Sequence, residues 1–348
     1  MLKYEPYFNC FVEVGTDYKQ EMYEYRNKLF KEFLKLKHKK TDCPTGLFVI
    51  PTTACNIRCS YCYVDKIDNN RTDFLTYENF KKQFNSIDTS KVKDAIIIGG
   101  EPFCNDDLFS IVEYLVKKGI YVCIVTNGVA FLNMDLRVKS IINNERVGFT
   151  LSFDANDGKN LRGISKSDSL IAFTNLAKFT NRLSIRTTLH KDSFKWFETR
   201  ECLQSISGFD FEMTIGWGNF EGNFLNNDIY NYLDSAYEKE LHNNSRCMIK
   251  PLKRFISNIF PFNLGDCDAG FGRIGITAIG TFICCKPYTI TEFTLPEQCS
   301  NCDYLLGCGT QCWADFNSIS VNESCCKFIK LSIEKAVKWH FLHNIIYR

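Results

Sequence analysis

The 348-residue chain has no apolar run long enough to cross a bilayer, and its opening Met1-Leu2-Lys3-Tyr4-Glu5 lacks the charged-then-apolar pattern of an export signal. Both absences predict a cytoplasmic protein without a membrane partner. Charge of one sign is also missing: the formal net charge is +2, too small a field to favour nucleic acid as a partner. The one basic run, Lys35-Leu36-Lys37-His38-Lys39-Lys40, closes a predicted helix, where cations suit the C-terminal dipole. Tandem repeats and low-complexity segments are absent. With 45% hydrophobic and 24% charged residues, the composition is that of a globular protein, long enough for one large α/β domain and a smaller one.

Cysteine, by contrast, is abundant. Eighteen cysteines without an export signal argue against a disulfide framework, because the cytosol keeps thiols reduced. Ligation of soft metals by thiolates explains such a count, and so would many packed cysteines; spacing must decide.

Residues 1–46 read as an N-terminal helical extension with little strand pattern: Tyr18, Met22, Tyr25, Leu29, Phe33 and Leu36 recur at helical spacing. Six short apolar runs then follow, at Leu47–Ile50, Ala95–Ile98, Tyr121–Val125, Val147–Phe153, Leu183–Leu189 and Phe211–Ile215. Amphipathic segments at Tyr77–Ile87, Leu108–Lys118, Asp168–Phe179 and Phe194–Ser205 separate them. Strands and helices in this alternation predict a parallel sheet, and right-handed crossovers curl it into a partial (β/α)6 TIM-like barrel over 47–240. Functional residues of such a barrel gather at the C-terminal ends of its strands. Residues 241–348 change texture: rich in cysteine and glycine, with few periodic segments, they read as a small metal-held domain closed by a helix from Phe328 to Ile345.

The first chemical motif, Cys55-Asn56-Ile57-Arg58-Cys59-Ser60-Tyr61-Cys62, follows the first predicted strand. Three thiolates can bind three irons of a cubane and leave the fourth open, as a catalytic metal requires. A closed zinc site is the structural alternative and needs a fourth ligand nearby. No His or Cys lies within twenty residues after Cys62, and Cys43 is the only other one within twelve before Cys55. Further motifs end successive strands: Gly99-Gly100-Glu101-Pro102, Thr126-Asn127-Gly128 and Ser152-Phe153-Asp154, with Arg186 on the fifth strand. Glycines permit close backbone approach, a carboxylate suits an ammonium group, and a guanidinium suits a carboxylate. Singly these signals are weak, since Gly-Gly before Glu-Pro also makes a simple turn and Arg186 a surface ion pair.

Together they resemble the radical S-adenosylmethionine superfamily. Its C-x3-C-x-aromatic-C signature is matched in full, with Tyr61 at the aromatic place. The resemblance implies a [4Fe–4S] cluster on Cys55, Cys59 and Cys62 that binds S-adenosylmethionine and cleaves it reductively to a 5′-deoxyadenosyl radical. It also implies cofactor contacts from Gly99, Gly100, Glu101 and Pro102 to the methionyl amino group, and from Ser152 and Arg186 to the ribose or carboxylate. Tyr61, Asn127 and Asp154 are further cofactor-binding candidates, and a flavodoxin or ferredoxin would supply the electron.

The C-terminal third carries a second array. Cys267, twelve residues, Gly280, four residues and Cys285 are followed by Cys299-x2-Cys302-x5-Cys308-x3-Cys312 and the pair Cys325-Cys326. This resembles the SPASM extension, which implies two auxiliary [4Fe–4S] clusters. Cys299, Cys302, Cys308 and one of Cys325 or Cys326 would hold the distal one; Cys267, Cys285 and Cys312 the nearer. The nearer cluster's fourth position is either Cys247 or open to substrate. Structural zinc is the alternative reading of the C-x2-C pair. Cys123 reads as a packed core residue, and Cys10, Cys43, Cys104, Cys202 and Cys284 receive no role. The resemblance makes a peptide or protein the expected substrate, with a crosslink, thioether or epimerisation as the outcome. The alternatives are formylglycine formation of the sulfatase-maturing type, small-molecule dehydrogenation, and a non-catalytic electron carrier or zinc module. Lys286 stands after Cys285, where sulfatase-maturing relatives place an Asp.

Overall fold

The computed structural model describes residues 2–5, 10–13, 41–62, 64, 72–155, 161–190, 192–217, 226–242, 272–282, 297–300, 302–304 and 323–342, with Glu24, Lys28 and Glu32 as single helical positions. The chain divides into two units. One comprises 40–221 with 269–288; the other comprises 1–39, 222–268 and 289–348.

The larger unit is built on strands β3 (Gly46–Val49), β4 (Asp94–Ile97), β5 (Tyr121–Thr126), β6 (Val147–Ser152), β7 (Leu183–Leu189) and β8 (Glu212–Trp217). All are parallel and adjacent in chain order. A sheet that never reverses its strand order, wound by right-handed crossovers, carries all its helices on one face and curls around the other. Those helices are α1 (Tyr77–Asn85), α2 (Leu108–Lys117), α3 (Leu136–Ile142), α4 (Lys166–Ala177) and α5 (Trp196–Ser207). Local chemistry sets several of their starts. Thr76, Asp135 and Ser165 each accept a backbone N–H of the first turn, at 3.2, 2.8 and 3.0 Å. Along β7 the alternation buries Leu183, Ile185, Thr187 and Leu189 and leaves Ser184, Arg186 and Thr188 on the opposite face.

The predicted strands and the partial TIM-like barrel are therefore present, with two additions. Helix α3, only seven residues long, has too short a period to read from sequence. A hairpin of β9 (Arg273–Thr277) and β10 (Gly280–Phe282) extends the sheet past β3, with β9 parallel to β3 and β10 antiparallel to β9. Ile274 and Ile276 are buried in it, and Arg273 pairs with Asp94 and stacks on Phe48. This places 269–288 with the barrel, whereas the sequence reading put all of 241–348 in a separate domain. Five residues interrupted by Gly275, inside a cysteine-rich stretch, carry little strand signal.

The smaller unit contains an antiparallel hairpin of β1 (Leu2–Glu5) and β2 (Cys10–Glu13), where the sequence suggested only helix. It also contains α6 (Asn227–Leu241), the short α7 (Glu297–Ser300) and α8 (Glu323–Leu342). Helix α6 groups here rather than with the barrel because it packs on α8. The buried Tyr237 and Ser332 hydroxyls are 2.8 Å apart, and Lys335 pairs with Asp234 at 2.6 Å and with Glu238. Among the described residues, no helix is long and apolar enough to cross a membrane. Tyr18, Met22, Tyr25, Leu29, Phe33 and Leu36, the basic run after them, and Cys247, Cys267, Cys284, Cys285, Lys286, Cys308 and Cys312 lie outside the described residues, as do the side chains of Cys10 and Cys325.

Candidate functional site

Cys55, Cys59 and Cys62 lie on the loop that leaves the C-terminal end of β3, each half-buried. The loop is gripped by the end of β4. Gly100 N donates to Thr52 O at 2.9 Å and Glu101 N to Ala54 O at 2.8 Å. A Cβ on Gly100 would stand 2.0 Å from the Ala54 oxygen and 2.5 Å from that of Thr53, and Gly99 adopts φ 156° with its own Cβ position 2.6 Å from Thr52 O. Only glycine permits this approach of two backbones. Gly100→Ala is therefore expected to cost about 1–3 kcal/mol through overpacking and to reduce iron loading, measurable by thermal unfolding and iron assay.

Glu101, which the sequence reading aimed at the cofactor's amino group, is buried and ties β4 to the end of β5. Its Oε1 accepts from Thr126 Oγ1 at 2.8 Å and from Phe103 N at 3.3 Å, and its Oε2 from Asn127 N at 2.7 Å. Burial pushes its pKa up to about 7, against the pull of these hydrogen bonds. Pro102 opens the turn that follows and is also buried. The Asn127 amide in turn reaches Asn56 Oδ1 at 2.7 Å and Cys55 Sγ at 3.7 Å. T-shaped ring contacts of 5.6 Å from Phe103 to Phe131 and from Phe131 to Phe149 hold these strand-end turns on the core.

Cys59 is held from another direction. Its Sγ donates to Arg162 O at 3.3 Å, and burial pushes its thiol up to about 12, while the Arg162 charge works the other way. The Tyr61 hydroxyl donates to Asp154 Oδ2, and Arg162 Nη2 and Thr188 N donate to Oδ1 at 2.6 and 3.2 Å. Burial disfavours the Arg162 cation, but Asp154, together with Tyr61 and Cys59, outweighs it and holds the group charged. Arg162 belongs to no motif, and sequence reading missed it.

Ser152 and Arg186 are neighbours in the β6–β7 register; Ser152 is half-buried and Arg186 exposed. The same strands carry the Thr150 and Ser184 hydroxyls 2.8 Å apart, and Cys123 Sγ lies 3.3 Å from Thr150 Oγ1. Cys123 thus joins a half-buried polar row rather than the apolar core. A fourth thiol stands near the triad: Cys104, half-buried, is pushed up to about 11 by burial and then by the charges of Glu101 and Cys55.

In the smaller unit, Cys302 N donates to Cys299 O at 3.2 Å, closing the C-x2-C turn. Burial raises the Cys299 thiol to about 11, with further contributions from Cys326 and Cys302; Cys326 is raised likewise by burial and by Cys302. The described Cys326 side chain thus lies with Cys299 and Cys302.

Among the described residues, no three Cys, His, Asp or Glu side chains converge on the point of a single ion. A cubane makes no such demand, because each thiolate takes a separate iron. Three soft, half-buried thiols on one strand-end loop, with an amide directed at one sulfur and a cation beside another, fit a [4Fe–4S] cluster with one open iron.

Residues 49–197 match the family model described as the Radical SAM superfamily. The S-adenosylmethionine-dependent nucleotide dehydratase of Selenomonas ruminantium is 36% identical over 86 residues, which cover 24% of this chain and 30% of that relative. The antilisterial bacteriocin subtilosin biosynthesis protein AlbA of Bacillus subtilis is 28% identical over 129 residues, covering 33% and 29%. The chain thus matches about three-tenths of the length of these curated relatives. The crystal structure of Streptococcus suis SuiB bound to precursor peptide SuiA shares the fold, with a TM-score of 0.56 at 15% identity over 92% of this chain and 78% of that one.

Proposed function

We propose that the protein, whose residues 49–197 match the radical SAM family model, cleaves S-adenosylmethionine reductively and modifies a ribosomal peptide by C–H abstraction. The outcome is a crosslink, a thioether or an epimerised residue. The observation that carries this reading is the half-buried triad of Cys55, Cys59 and Cys62 at a strand end, pressed into place by Gly99 and Gly100. When bound, the cluster supplies an electron to the sulfonium and so yields the abstracting radical.

The chain's own residues do the rest. Cys55, Cys59 and Cys62 hold the cluster, and Asn127 orients Cys55 through its amide. Glu101 fixes Asn127, and Arg186 with Ser152 offers a guanidinium and a hydroxyl side by side for a carboxylate or ribose. In the smaller unit, Cys299, Cys302 and Cys308, with one of Cys325 or Cys326, are assigned to a distal auxiliary cluster. Cys267, Cys285 and Cys312, with Cys247 or an open position, are assigned to a nearer one. A flavodoxin or ferredoxin is the proposed electron donor.

A peptide substrate is supported by the AlbA relative, named for bacteriocin biosynthesis, and by a fold shared with SuiB, whose structure holds a precursor peptide. A small-molecule substrate is the second reading, favoured by the nucleotide dehydratase relative. Anaerobic coexpression with short reading frames from the same locus, followed by mass spectrometry, separates the two. A loss of two hydrogens is expected for a crosslink, and deuterium uptake without other mass change for epimerisation. No change in any such peptide, with 5′-deoxyadenosine still formed under dithionite, would rule out the peptide reading and leave the radical chemistry standing.

A further inference from the structure

Residues 161–163 run flush against the cysteine loop. Ser60 N donates to Leu161 O at 2.8 Å, Cys59 Sγ to Arg162 O at 3.3 Å, and a Cβ on Gly163 would meet Arg58 O at 2.8 Å. From this contact the Arg162 side chain extends over the Tyr61 ring, 5.7 Å from its centre, and pairs with Asp154 at 2.6 Å. The pair is almost dry, with side-chain exposures of 11% for Arg162 and 9% for Asp154. A buried ion pair is a poor device for stability alone, because apolar residues of the same volume do as well or better. Asp154, moreover, does not serve Arg162 alone. It also accepts the Tyr61 hydroxyl and Thr188 N, while Arg162 Nε is buried without a hydrogen-bond partner among the described residues. The guanidinium thus keeps one buried donor unmatched and shares its carboxylate with two neutral donors, on a residue whose carbonyl meets the Cys59 sulfur.

We infer that Arg162 is a positioning residue that sets the reduction potential of the cluster on Cys55, Cys59 and Cys62, its fixed charge raising the potential while Asp154 limits the effect. This rests on the cluster assignment proposed above. The reduced cluster carries one more electron than the oxidised one. A neighbouring cation therefore stabilises the reduced form, and a neighbouring anion opposes it.

The test is an anaerobic redox titration of the full chain, reconstituted with iron and sulfide and reduced by dithionite. Electron paramagnetic resonance follows the signal that changes when S-adenosylmethionine is added. Arg162→Gln is expected to lower the ratio of reduced to oxidised cluster at a fixed potential about tenfold, a fall of about 59 mV for a one-electron couple. Asp154→Asn is expected to move it upward by a similar factor, and Arg162→Lys to remain near the wild type. A structural role alone would not make the shift follow the sign of the charge. Potentials that move together in Arg162→Gln and Asp154→Asn, or do not move, overturn the inference. If Arg162→Gln takes up no iron, the other two variants decide: an upward shift in Asp154→Asn with an unshifted Arg162→Lys supports it, and any other pair of results rejects it. A wild-type protein with no signal responsive to S-adenosylmethionine would instead remove the cluster assignment itself.

Discussion

Replacing Cys55, Cys59 and Cys62 together by alanine is expected to reduce 5′-deoxyadenosine formation to background, a loss on the order of a thousandfold or more because the cofactor carries the chemistry. The variant should still fold. The loop is held at its base by groups other than the thiols: Asn105 Nδ2 donates to Pro51 O at 2.6 Å and Leu75 O at 3.0 Å, and Thr52 Oγ1 to Asp73 O at 2.7 Å. Iron and sulfide should fall by one cubane's content, with the remaining visible absorption coming from the proposed auxiliary clusters. Turnover that survives in this variant at the wild-type rate would sink the assignment of the triad.

The second large effect concerns Glu101 and pH. Its folded pKa is raised from the usual 4.5 to about 7 by burial. Below pH 4.5 the group is protonated in both folded and unfolded chains. As pH rises from there the unfolded chain ionises while the folded one holds its proton, so stability is lost until the pH passes about 7. The loss from this group amounts to about 3 kcal/mol. Glu101→Gln removes the titration but keeps an acceptor for Thr126 or Asn127. Urea denaturation across this range, without added S-adenosylmethionine, should show the stability difference between wild type and variant shifting by about 3 kcal/mol in the variant's favour. A difference that stays level from pH 4.5 to 7.5 would mean that the folded state keeps Glu101 ionised throughout.

Much of the barrel was legible because buried parallel strands are short β-branched runs and their crossover helices are amphipathic, two periods that do not resemble each other. The triad and Gly99-Gly100-Glu101-Pro102 were legible because ligation and close backbone approach admit few residue types. The role of the glycines was less visible. In the structure they seat the cysteine loop against β4, a contact between segments some fifty residues apart that no local pattern encodes. Arg162 was invisible for a similar reason. An arginine after a leucine carries no signal until the chain brings it beside Cys59 and Asp154. The hairpin of β1 and β2 escaped because its four-residue strands mix charged with apolar residues instead of forming the continuous apolar runs that marked β3 and β4.

The pairing of β9 with β3 has a consequence for synthesis. Until residues 273–277 leave the ribosome, the strand that leads into the cysteine loop has an open edge, with Ile50 N still lacking the Ile276 carbonyl it bonds at 2.9 Å. At ordinary translation speeds that interval lasts on the order of tens of seconds, during which the nascent sheet exposes an unpaired strand. The scaffold of Cys55, Cys59 and Cys62 is thereby completed only by a segment more than two hundred residues downstream. A chain that stalls before it carries the thiols without the strand that closes their scaffold.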